Sequence, residues 1–320
     1  MNKIKVGVIA GGFSNERDVS LKTSNQIIQA IPEENYDAVL IEIPNDEKKA
    51  IPELIRQIEQ EKIDVAFIGL HGRFGEDGKI QAVLKTLGIP HTGPGVLTSA
   101  LGMNKAKCME FLDIYKIVSP KFITLNDKEI ESSEAIEKVK KEIGFPCVVK
   151  PNESGSSVGV SIVKKEDDLM SAIENAFNED GIVILQKYIK GKELSCGVMG
   201  NAGQEKTVLP VIEIIAKGSE FFDYQAKYFS QTTDEICPTT IGEENEKKIR
   251  DLAKTVHEAV GADGLTRSDF IIDEDQEIYF LEVNTIPGQT EASLCPKEAK
   301  AAGISFPEFL EKQIKMALGK

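Results

Sequence analysis

Apolar runs and helix-period patterns alternate along the first hundred residues of the chain. Short continuous apolar runs that end in glycine or polar residues predict buried strands, whereas apolar positions spaced by three and four predict helices. Strands that alternate with helices form a parallel sheet with helices on its faces, and ligands bind beyond the carboxyl ends of such strands. The predicted strands are 3–12, 36–43 and 64–72, and the predicted helices are 20–31 and 50–62.

The pattern changes near residue 98, where a helix and a loop precede further strands. A third unit starts near 182–194 and continues to the end of the chain, with a long helix near 243–260 and a closing amphipathic helix. We therefore predict three domains, 1–97, 98–185 and 186–320. The elements predicted in the middle domain are a helix at 98–113, a strand at 121–125, a helix at 134–143 and strands within 146–165.

Polar residues interrupt a predicted hairpin at 267–285. Two apolar-rich runs flank an acidic turn there, which is typical of a β-hairpin. A turn centred between positions 275 and 276 pairs Asp269 with Glu282 and Arg267 with Asn284. Side chains two apart on a strand share a face, so these four polar residues lie on one side of the hairpin.

The same register predicts an apolar face on the other side of the hairpin. Ile271 and Phe280 accompany the polar residues, which favours the floor of a cleft over a solvated hairpin surface. The pairs predicted on the apolar face are Phe270 with Leu281 and Ile272 with Tyr279.

Opposed carboxylates on a sheet repel each other unless a cation lies between them. The oxygens of Asp269 and Glu282, with the amide of Asn284 beside them, suit Mg²⁺, which completes its shell with water and substrate phosphates. The hairpin therefore predicts a magnesium site.

Lysines and a small-residue loop supply the matching positive charge. Lys150 ends a strand and precedes a loop containing Ser156 and Ser157, whose backbone N–H groups and hydroxyls can surround an anion; a plain mobile hairpin is an equal alternative for this stretch alone. Lys105 begins a helix, where the dipole favours anions. Lys227 and Tyr228 lie in a polar segment typical of a closing lid. Together these residues predict a nucleoside triphosphate site with Mg²⁺, although the Walker lysine motif is absent.

Composition and charge exclude several other function classes. The net charge of −14 argues against a nucleic-acid partner. Five cysteines without CxxC spacing predict reduced thiols in the cytoplasm, and no apolar stretch has the length of a membrane span. The glycine-rich turn after the first strand lacks the G-x-G-x-x-G spacing of a nicotinamide site.

Eight motifs, in the family order, give the chain a strong resemblance to a known family. The chain resembles the D-alanine–D-alanine ligases of the ATP-grasp superfamily along essentially its whole length. The resemblance implies an α/β fold in which a Rossmann-like parallel-sheet domain precedes a two-part α+β ATP-grasp fold. The motifs are "GGFSNERDVS", "HGRFGEDG", "IPHTGPGVLTSALGMNK", "KPNESGSSVGVS", "FFDYQAKY", "RSDF", "LEVNTIPGQTEASLCP" and "AAGISFPEFL".

This resemblance implies an ATP-dependent ligase. In the family, ATP phosphorylates the carboxylate of one D-alanine, and the amine of a second D-alanine attacks the acylphosphate. The products are D-alanyl-D-alanine, ADP and phosphate, and the dipeptide enters peptidoglycan synthesis. The resemblance also implies two Mg²⁺ ions, for which Mn²⁺ can substitute, and a cytoplasmic homodimer.

The resemblance assigns substrate-binding and catalytic roles to matching positions. It implies that Glu16 binds the ammonium group of the first D-alanine in a hydrogen-bonded set with Ser156 and Tyr228. It implies that Arg267 and the backbone N–H of Gly288 stabilise the oxyanion. The remaining substrate residues are His71, near the first substrate or simply a hydrogen-bonded residue at a strand end, and Ser293 and Leu294, at the carboxylate of the second.

The nucleotide and metal residues follow from the same matches. The implied phosphate ligands are Lys105, Lys150, Lys227, Ser156 and Ser157; the implied adenine and ribose contacts are Gln186, Lys187, Tyr188, Ile189 and Glu193; the implied metal ligands are Asp269, Glu282 and Asn284.

Three positions depart from the family pattern. Gln186 stands where relatives usually have Glu, Asn104 where they have Asp, and Gln289 where they have an apolar Met or Leu beside the second-substrate pocket. The last departure leaves a ligase with D-serine as second substrate as an alternative, whereas Tyr228 favours amide formation with D-alanine. A catalytically silent ATP-binding protein is a further alternative, disfavoured because the charged residues are all retained.

Overall fold

The fold is described by a computed structural model, which covers residues 3–126, 133–155, 158–216 and 233–320. Its strands are β1 (Ile4–Gly11), β2 (Tyr36–Ile43), β3 (Val65–Ile68), β4 (Phe122–Asn126), β5 (Cys147–Pro151), β6 (Ser161–Val163), β7 (Ile182–Lys187), β8 (Gly191–Met199), β9 (Thr207–Val208), β10 (Ile212–Ala216), β11 (Thr233–Ile236), β12 (Leu265–Asp273) and β13 (Ile278–Asn284). Its helices are α1 (Arg17–Ala30), α2 (Glu47–Glu61), α3 (Lys79–Thr86), α4 (Val96–Met103), α5 (Lys105–Asp113), α6 (Ser133–Glu142), α7 (Leu169–Phe177), α8 (Glu243–Ala259), α9 (Leu294–Ala301) and α10 (Phe306–Ala317). None of these helices combines the length and the apolar character that a membrane crossing requires.

The N-terminal unit is a parallel sheet of order β2-β1-β3, which confirms the predicted architecture. The central strand ends in Gly11 and Gly12, both with positive φ. A Cβ at Gly11 would lie 2.6 Å from the carbonyl oxygen of Ile43, so this turn requires glycine. The turn leads into α1, which Glu16 directly precedes.

The second sheet has the order β4-β7-β5-β6 with antiparallel pairing throughout, and α6 and α7 contribute to its core. Strand β7 crosses the predicted boundary between 185 and 186, and helix α4 crosses the boundary between 97 and 98. The division into three domains at those positions remains a prediction.

The third sheet has the order β11-β10-β8-β12-β13, with β9 paired to β8. Helices α5 and α8 pack in the core on one face of this sheet. On the other side, α9 contacts β8, and α9 and α10 share a core with the N-terminal strands. The last two helices therefore connect the third sheet to the first.

The helix predicted at 98–113 is two helices in the structure. Helix α4 ends at Met103 and α5 begins at Lys105. Asn104 separates them because its side chain accepts a hydrogen bond from the backbone N–H of Lys107 at 3.0 Å, which caps the second helix. The break leaves Lys105 at the first position of α5, as the sequence predicts.

The hairpin of β12 and β13 confirms the polar register and corrects the apolar one. Arg267 pairs with Asn284 and Asp269 with Glu282, as predicted. A β-bulge then shifts the register, because β13 carries one extra residue, Leu281, between the partners of Asp269 and Phe270. The predicted pairs Phe270–Leu281 and Ile272–Tyr279 are therefore wrong; the observed pairs are Phe270 with Phe280 and Ile272 with Ile278.

The bulge exchanges two side chains between the faces of the hairpin. Phe280 is only 1% exposed, and its ring packs edge-on against Phe270 at 5.9 Å between centroids. Leu281 instead joins Ile271 in the lining of a cleft. The expectation that Phe280 lies on the polar face is thus wrong, but the cleft floor keeps an apolar component.

We predict that Phe280→Ala lowers the free energy of unfolding by about 3–5 kcal/mol, because it leaves a cavity in a closed core. Leu281→Ala should cost less than about 2 kcal/mol, because that side chain is only partly buried at a cleft. Urea unfolding of the two variants measures the difference. A larger loss for Leu281→Ala would contradict the bulged register.

Candidate active site between two antiparallel sheets

A cleft lies between the second and third sheets. Its apolar lining includes Val148, Val160 and Ile162 from the second sheet, and Ile271 and Leu281 from the third. It brings together most of the residues predicted to bind nucleotide and metal. Those on its wall are Lys105, Lys150, Gln186, Lys187, Tyr188, Ile189, Glu193, Arg267, Asp269, Glu282 and Leu294.

Four predicted residues fall outside the part of the chain that the structure describes. Their roles therefore remain predictions. They are Ser156, Ser157, Lys227 and Tyr228.

Gln186 forms the closed end of the cleft at the predicted adenine hinge. Its buried amide nitrogen donates to the sulfur of Met109 at 3.3 Å and approaches the carbonyl oxygen of Pro120 at 3.5 Å. Both partners are acceptors, so an amide suits this position and an ionised carboxylate would be repelled. The replacement of the family's usual Glu therefore has a local physical reason.

Two lysines line the cleft close to the N-terminus of α5. The ammonium group of Lys105 donates to the carbonyl oxygen of Ser154 at 2.7 Å and lies 3.5 Å from a carboxylate oxygen of Glu282. Lys150, at the end of β5, is buried. Asn152 ties the two elements together, because its side-chain oxygen accepts from the backbone N–H of Ala106 at 2.9 Å. Positive charge and a helix N-terminus thus converge on one place, which suits phosphate.

The third sheet presents two polar rows across three neighbouring strands. On strands β8, β12 and β13, in that order, one row is Gly197, Arg267 and Asn284. The other row is Ser195, Asp269 and Glu282.

Asp269 is the centre of these rows. The Arg267 guanidinium donates to both of its oxygens at 2.9 and 2.7 Å, Ser195 donates at 2.8 Å and the Asn284 amide at 3.1 Å. Burial alone would lower the pKa of Arg267, but the charge of Asp269 and its hydrogen bonds raise that pKa above its ordinary value. The pair is therefore a fixed, bidentate ion pair on the cleft floor.

Glu282 lies opposite Asp269, so the two carboxylates are held between Arg267 and Lys105. Their oxygens and the Asn284 amide are hard donors of the kind that Mg²⁺ takes. Among the described residues there is no cluster of three or more His, Cys, Asp or Glu that would hold a metal alone. Two carboxylates and an amide fit an ion that completes its shell with phosphate and water oxygens.

Glu16 lies where three loops meet. A Cβ added to Gly72 would be 2.6 Å from its Oε2, and one added to Gly155 would be 2.9 Å from the same oxygen. The buried carboxylate is thus enclosed by the loop after β3 and by the glycine loop after β5. Because Gly155 follows Ser154 of the cleft wall, Glu16 stands at the end of the cleft near Lys105.

His71 is buried in the same region. Its Nδ1 lies 3.8 Å from Glu76 Oε1, and its backbone oxygen accepts from the Ser14 hydroxyl at 2.9 Å. Burial lowers the pKa of His71, but Glu76 and Glu16 outweigh it and raise the pKa above the ordinary value. The Nε2 atom is buried and has no hydrogen-bond partner among the described residues. The placement of His71 near the first substrate stays a prediction.

Ser293 lies at the N-terminus of α9, beside Gly288. A Cβ on Gly288 would lie 2.8 Å from the Ser293 hydroxyl oxygen, and that oxygen accepts from the backbone N–H of Thr290 at 3.2 Å. Leu294 follows and packs on Ile212 and Ile214 of β10. The helix N-terminus beside the cleft suits a carboxylate.

Gln289 does not line the cleft. Its side chain is 3% exposed and forms two reciprocal 3.0 Å hydrogen bonds with Gln313 of α10. Its backbone adjoins Gly288, but its side chain points to α10. Its position beside the second-substrate pocket stays a prediction.

Three polar residues near the cleft were missed by the sequence analysis. Ser195 could have been found, because it lies two positions after Glu193 and so shares its strand face, which is the face of Asp269. Asn152 and Glu298 carried no such signal, because their contacts are with distant parts of the chain.

Glu298 is a fully buried carboxyl group beside the polar rows. Its Oε2 accepts from the backbone N–H of Gly197 at 2.8 Å, and the side chain is completely buried. Gly197 leaves the room for it, since a Cβ there would be 2.7 Å from Oε2. Burial raises the pKa of Glu298 to about 8, although the charge of Arg267 opposes that shift.

The fold and the cleft together define a class of protein. A parallel N-terminal sheet precedes two antiparallel sheets, and their cleft has lysines on one wall and paired carboxylates on the other. This is the architecture of the ATP-grasp class.

Comparisons with known proteins identify the family within that class. The family profile described as "D-ala D-ala ligase C-terminus" matches residues 79–315, and "D-ala D-ala ligase N-terminus" matches residues 42–94. The D-alanine–D-alanine ligase of Pelotomaculum thermopropionicum is 42% identical over 98% of this chain and 97% of its own. That of Desulforamulus reducens is 40% identical over 98% of this chain and 99% of its own. The chain therefore belongs to the D-alanine–D-alanine ligase family and is an enzyme of that family, a ligase.

Solved structures agree with this assignment. A Bacillus anthracis D-alanine–D-alanine ligase complexed with ATP has a TM-score of 0.84 and 34% identity, and covers 99% of this chain and 98% of its own. The VanG D-Ala:D-Ser ligase of Enterococcus faecalis has a TM-score of 0.85 and 32% identity, and covers 99% of this chain and 100% of its own. The fold alone therefore does not distinguish the second substrate.

We predict that the free energy of unfolding of Glu298→Gln, compared with that of the unsubstituted chain at the same pH, becomes larger as pH rises. Between the ordinary pKa of 4.5 and about 8, the folded state binds a proton at Glu298 that the unfolded state releases. The free energy of unfolding therefore falls through that window, and the amide variant lacks this loss. Melting temperatures of both proteins from pH 5 to pH 9 measure the effect. Parallel curves would show that Glu298 titrates normally.

Proposed function

We propose that the protein joins two D-alanine molecules in an ATP-dependent reaction, giving D-alanyl-D-alanine, ADP and phosphate for peptidoglycan synthesis. Family membership supports the reaction. The observation that carries it is the polar floor of the cleft, where Arg267 and Lys105 flank the opposed carboxylates of Asp269 and Glu282. The carboxylates of two amino acids and a triphosphate need such an arrangement, since the repulsion between these negative groups must be neutralised.

The nucleotide half of the proposal concerns the cleft wall. Lys105 and Lys150, with Lys227, Ser156 and Ser157, would bind the phosphates. The adenine would lie at the hinge of Gln186, Lys187, Tyr188 and Ile189, with its ribose at Glu193, all on the same cleft. The apolar side chains of the second sheet fit a planar base.

The proposed metal ligands are Asp269, Glu282 and Asn284, for two Mg²⁺ ions that Mn²⁺ can replace. When bound, the ions would supply the charge that offsets the phosphates and the developing negative charge of the reaction. The hard oxygen donors support this assignment. The ammonium group of Lys105, 3.5 Å from a carboxylate oxygen of Glu282, supports it further, since this carboxylate is placed to contact a cation.

Two chemical steps follow from the proposal. A carboxylate oxygen of the first D-alanine attacks the terminal phosphorus of ATP, which gives D-alanyl phosphate and ADP. The amine of the second D-alanine then attacks the acyl carbon, forms the peptide bond and releases phosphate. Arg267 and the Gly288 N–H would stabilise the oxyanion of this second step.

The two amino acids would occupy opposite ends of this reaction centre. Glu16 would hold the first ammonium group with Ser156 and Tyr228, and His71 would lie nearby. Ser293 and Leu294, at the N-terminus of α9, would receive the second carboxylate.

We also propose that the protein acts in the cytoplasm as a homodimer. The five cysteines are free thiols, which supports a reducing compartment. The homodimer rests on the family resemblance alone.

Alternative functions have less support. The alternative of D-serine as second substrate is based on Gln289, whose side chain is buried and pairs with Gln313, which gives that alternative less support. A silent ATP-binding protein would have no use for the Arg267–Asp269 pair, whose guanidinium is held rigidly at the cleft floor.

The deciding experiment measures ADP release with D-alanine alone, and then with D-alanine plus D-serine, D-lactate or L-alanine, with products identified by mass. We expect D-alanyl-D-alanine as the main product. A dominant mixed product would show that the preferred second substrate is not D-alanine. ADP release that does not depend on any amino acid would refute the ligase proposal.

We predict that Glu282→Gln lowers kcat by at least about 100-fold, because the reaction loses a metal ligand and its preorganised charge. The fold should persist, since removing one of two opposed carboxylates relieves repulsion in the hairpin. Steady-state ADP release and thermal melting measure both effects. Glu274→Gln is the matched control: Glu274 lies on the turn of the same hairpin, exposed and paired with Lys190. Unfolding of Glu282→Gln without added metal would instead favour a structural role.

A further inference from the structure

Gln289 and Gln313 form a closed pair of amides inside the protein. Each side-chain nitrogen donates to the oxygen of the other at 3.0 Å, and the two side chains are 3% and 2% exposed. Gln313 also approaches the carbonyl oxygen of Phe309 at 3.4 Å within its own helix. Two buried amides 24 residues apart therefore satisfy each other.

The pair joins the loop after β13 to helix α10. Gln289 lies in the loop after β13, directly after Gly288 and four residues before Ser293. Gln313 lies on α10, whose Phe309, Leu310 and Ile314 pack in the core with strands of the N-terminal sheet. The loop that carries the proposed oxyanion donor is thus fastened to α10 by this amide pair, in addition to the packing of Ile286 in the core of the N-terminal unit.

The hydrogen bonds between Thr290 and Ser293 are local to the turn. The Ser293 hydroxyl bonds to Thr290, and the Ser293 N–H donates to the Thr290 carbonyl oxygen at 2.8 Å. These bonds fix the shape of the turn but not its distance from the cleft. Gln289 contacts a separate element, so it contributes to where the turn as a whole lies, together with the packing of Ile286 before the turn and Leu294 after it.

We propose that Gln289 and Gln313 are positioning residues for the second amino acid, which set the location of the Gly288 N–H and Ser293 relative to Arg267. This inference rests on the proposed function. It assigns the departure at Gln289 a role in the rate of the second step, not in the identity of the second substrate.

A physical asymmetry makes the proposal testable. Removing one amide leaves the other buried without its hydrogen-bond partner, which is costly. We therefore expect the loop or α10 to shift until the remaining amide reaches water. Removing both, with apolar residues of similar size, restores a satisfied interior. The two single variants should therefore be impaired in the same way, and the double variant should recover.

The test uses Gln289→Leu, Gln313→Leu and the double variant in the full-length protein. Dipeptide formation reports the complete reaction. Hydroxamate formation with excess hydroxylamine reports the first step, because the excess nucleophile displaces phosphate from the acylphosphate as fast as it forms and needs no site for a second carboxylate. In dipeptide formation, we expect each single variant to lower kcat/KM for the second D-alanine about tenfold. The rate of hydroxamate formation should stay within about twofold of that of the unsubstituted protein. The double variant should return to within about threefold of normal.

Tyr36→Phe is the matched control. It removes a 3.3 Å hydrogen bond from Tyr36 to Glu311, two residues from Gln313 on the same helix, without touching the loop. Both rates should stay normal in this variant. If the leucine variants do not fold, Gln313→Asn withdraws the amide by one methylene and should lower dipeptide formation selectively.

Several results would overturn the proposal. A fall in melting temperature with unchanged dipeptide kinetics would make the pair purely structural. Equal loss of dipeptide and hydroxamate would place the effect on the first step, and a double variant as impaired as the singles would remove the pairing argument. Failure of the proposed function is distinct, since the unsubstituted protein would then show no D-alanine-dependent ADP release.

Discussion

The site depends on holding a partly buried carboxylate on the floor of the cleft. A carboxylate out of water is costly unless hydrogen bonds and opposite charge replace its hydration. Asp269 meets that condition with donors from all three neighbouring strands: Ser195 on β8, Arg267 on its own strand and Asn284 on β13. Because the donors come from three strands, the sheet pairing must be correct before the site exists, and the fixed site in turn holds Arg267 in the place from which we propose that it stabilises an oxyanion.

The bulge at Leu281 lets one hairpin serve two surfaces. Strict alternation on β13 would put Phe280 on the same face as Glu282. The extra residue instead sends Phe280 into the core with Phe270, while Glu282 and Asn284 keep their register with Asp269 and Arg267. The core thus gains an aromatic pair that anchors the polar end of the hairpin, and the cleft gains the smaller Leu281.

Patterns within one element were readable from the sequence, whereas relations between distant elements were not. The parallel sheet and the pairing of Asp269 with Glu282 follow from apolar periodicity and a turn. The bulge could not be predicted, because each strand alternates normally and only packing decides the register beyond it. The helix break at Asn104 depends on which backbone N–H its side chain caps. The Glu298 carboxyl depends on space left by Gly197, a residue about a hundred positions earlier.

The three departures from the family pattern share one physical property: each polar group faces a partner that suits it. Asn104 donates its amide to Glu153 at 2.6 Å, where an aspartate would set two carboxylates against each other. Gln186 donates toward the sulfur of Met109, and Gln289 pairs with Gln313. Substitutions matched in this way change how binding elements are fastened, while the groups that face the substrates keep their chemistry. Departures beside a site therefore indicate a change of substrate only when their side chains reach the cleft, and among these three only Gln186 lines it, at the hinge of the nucleotide.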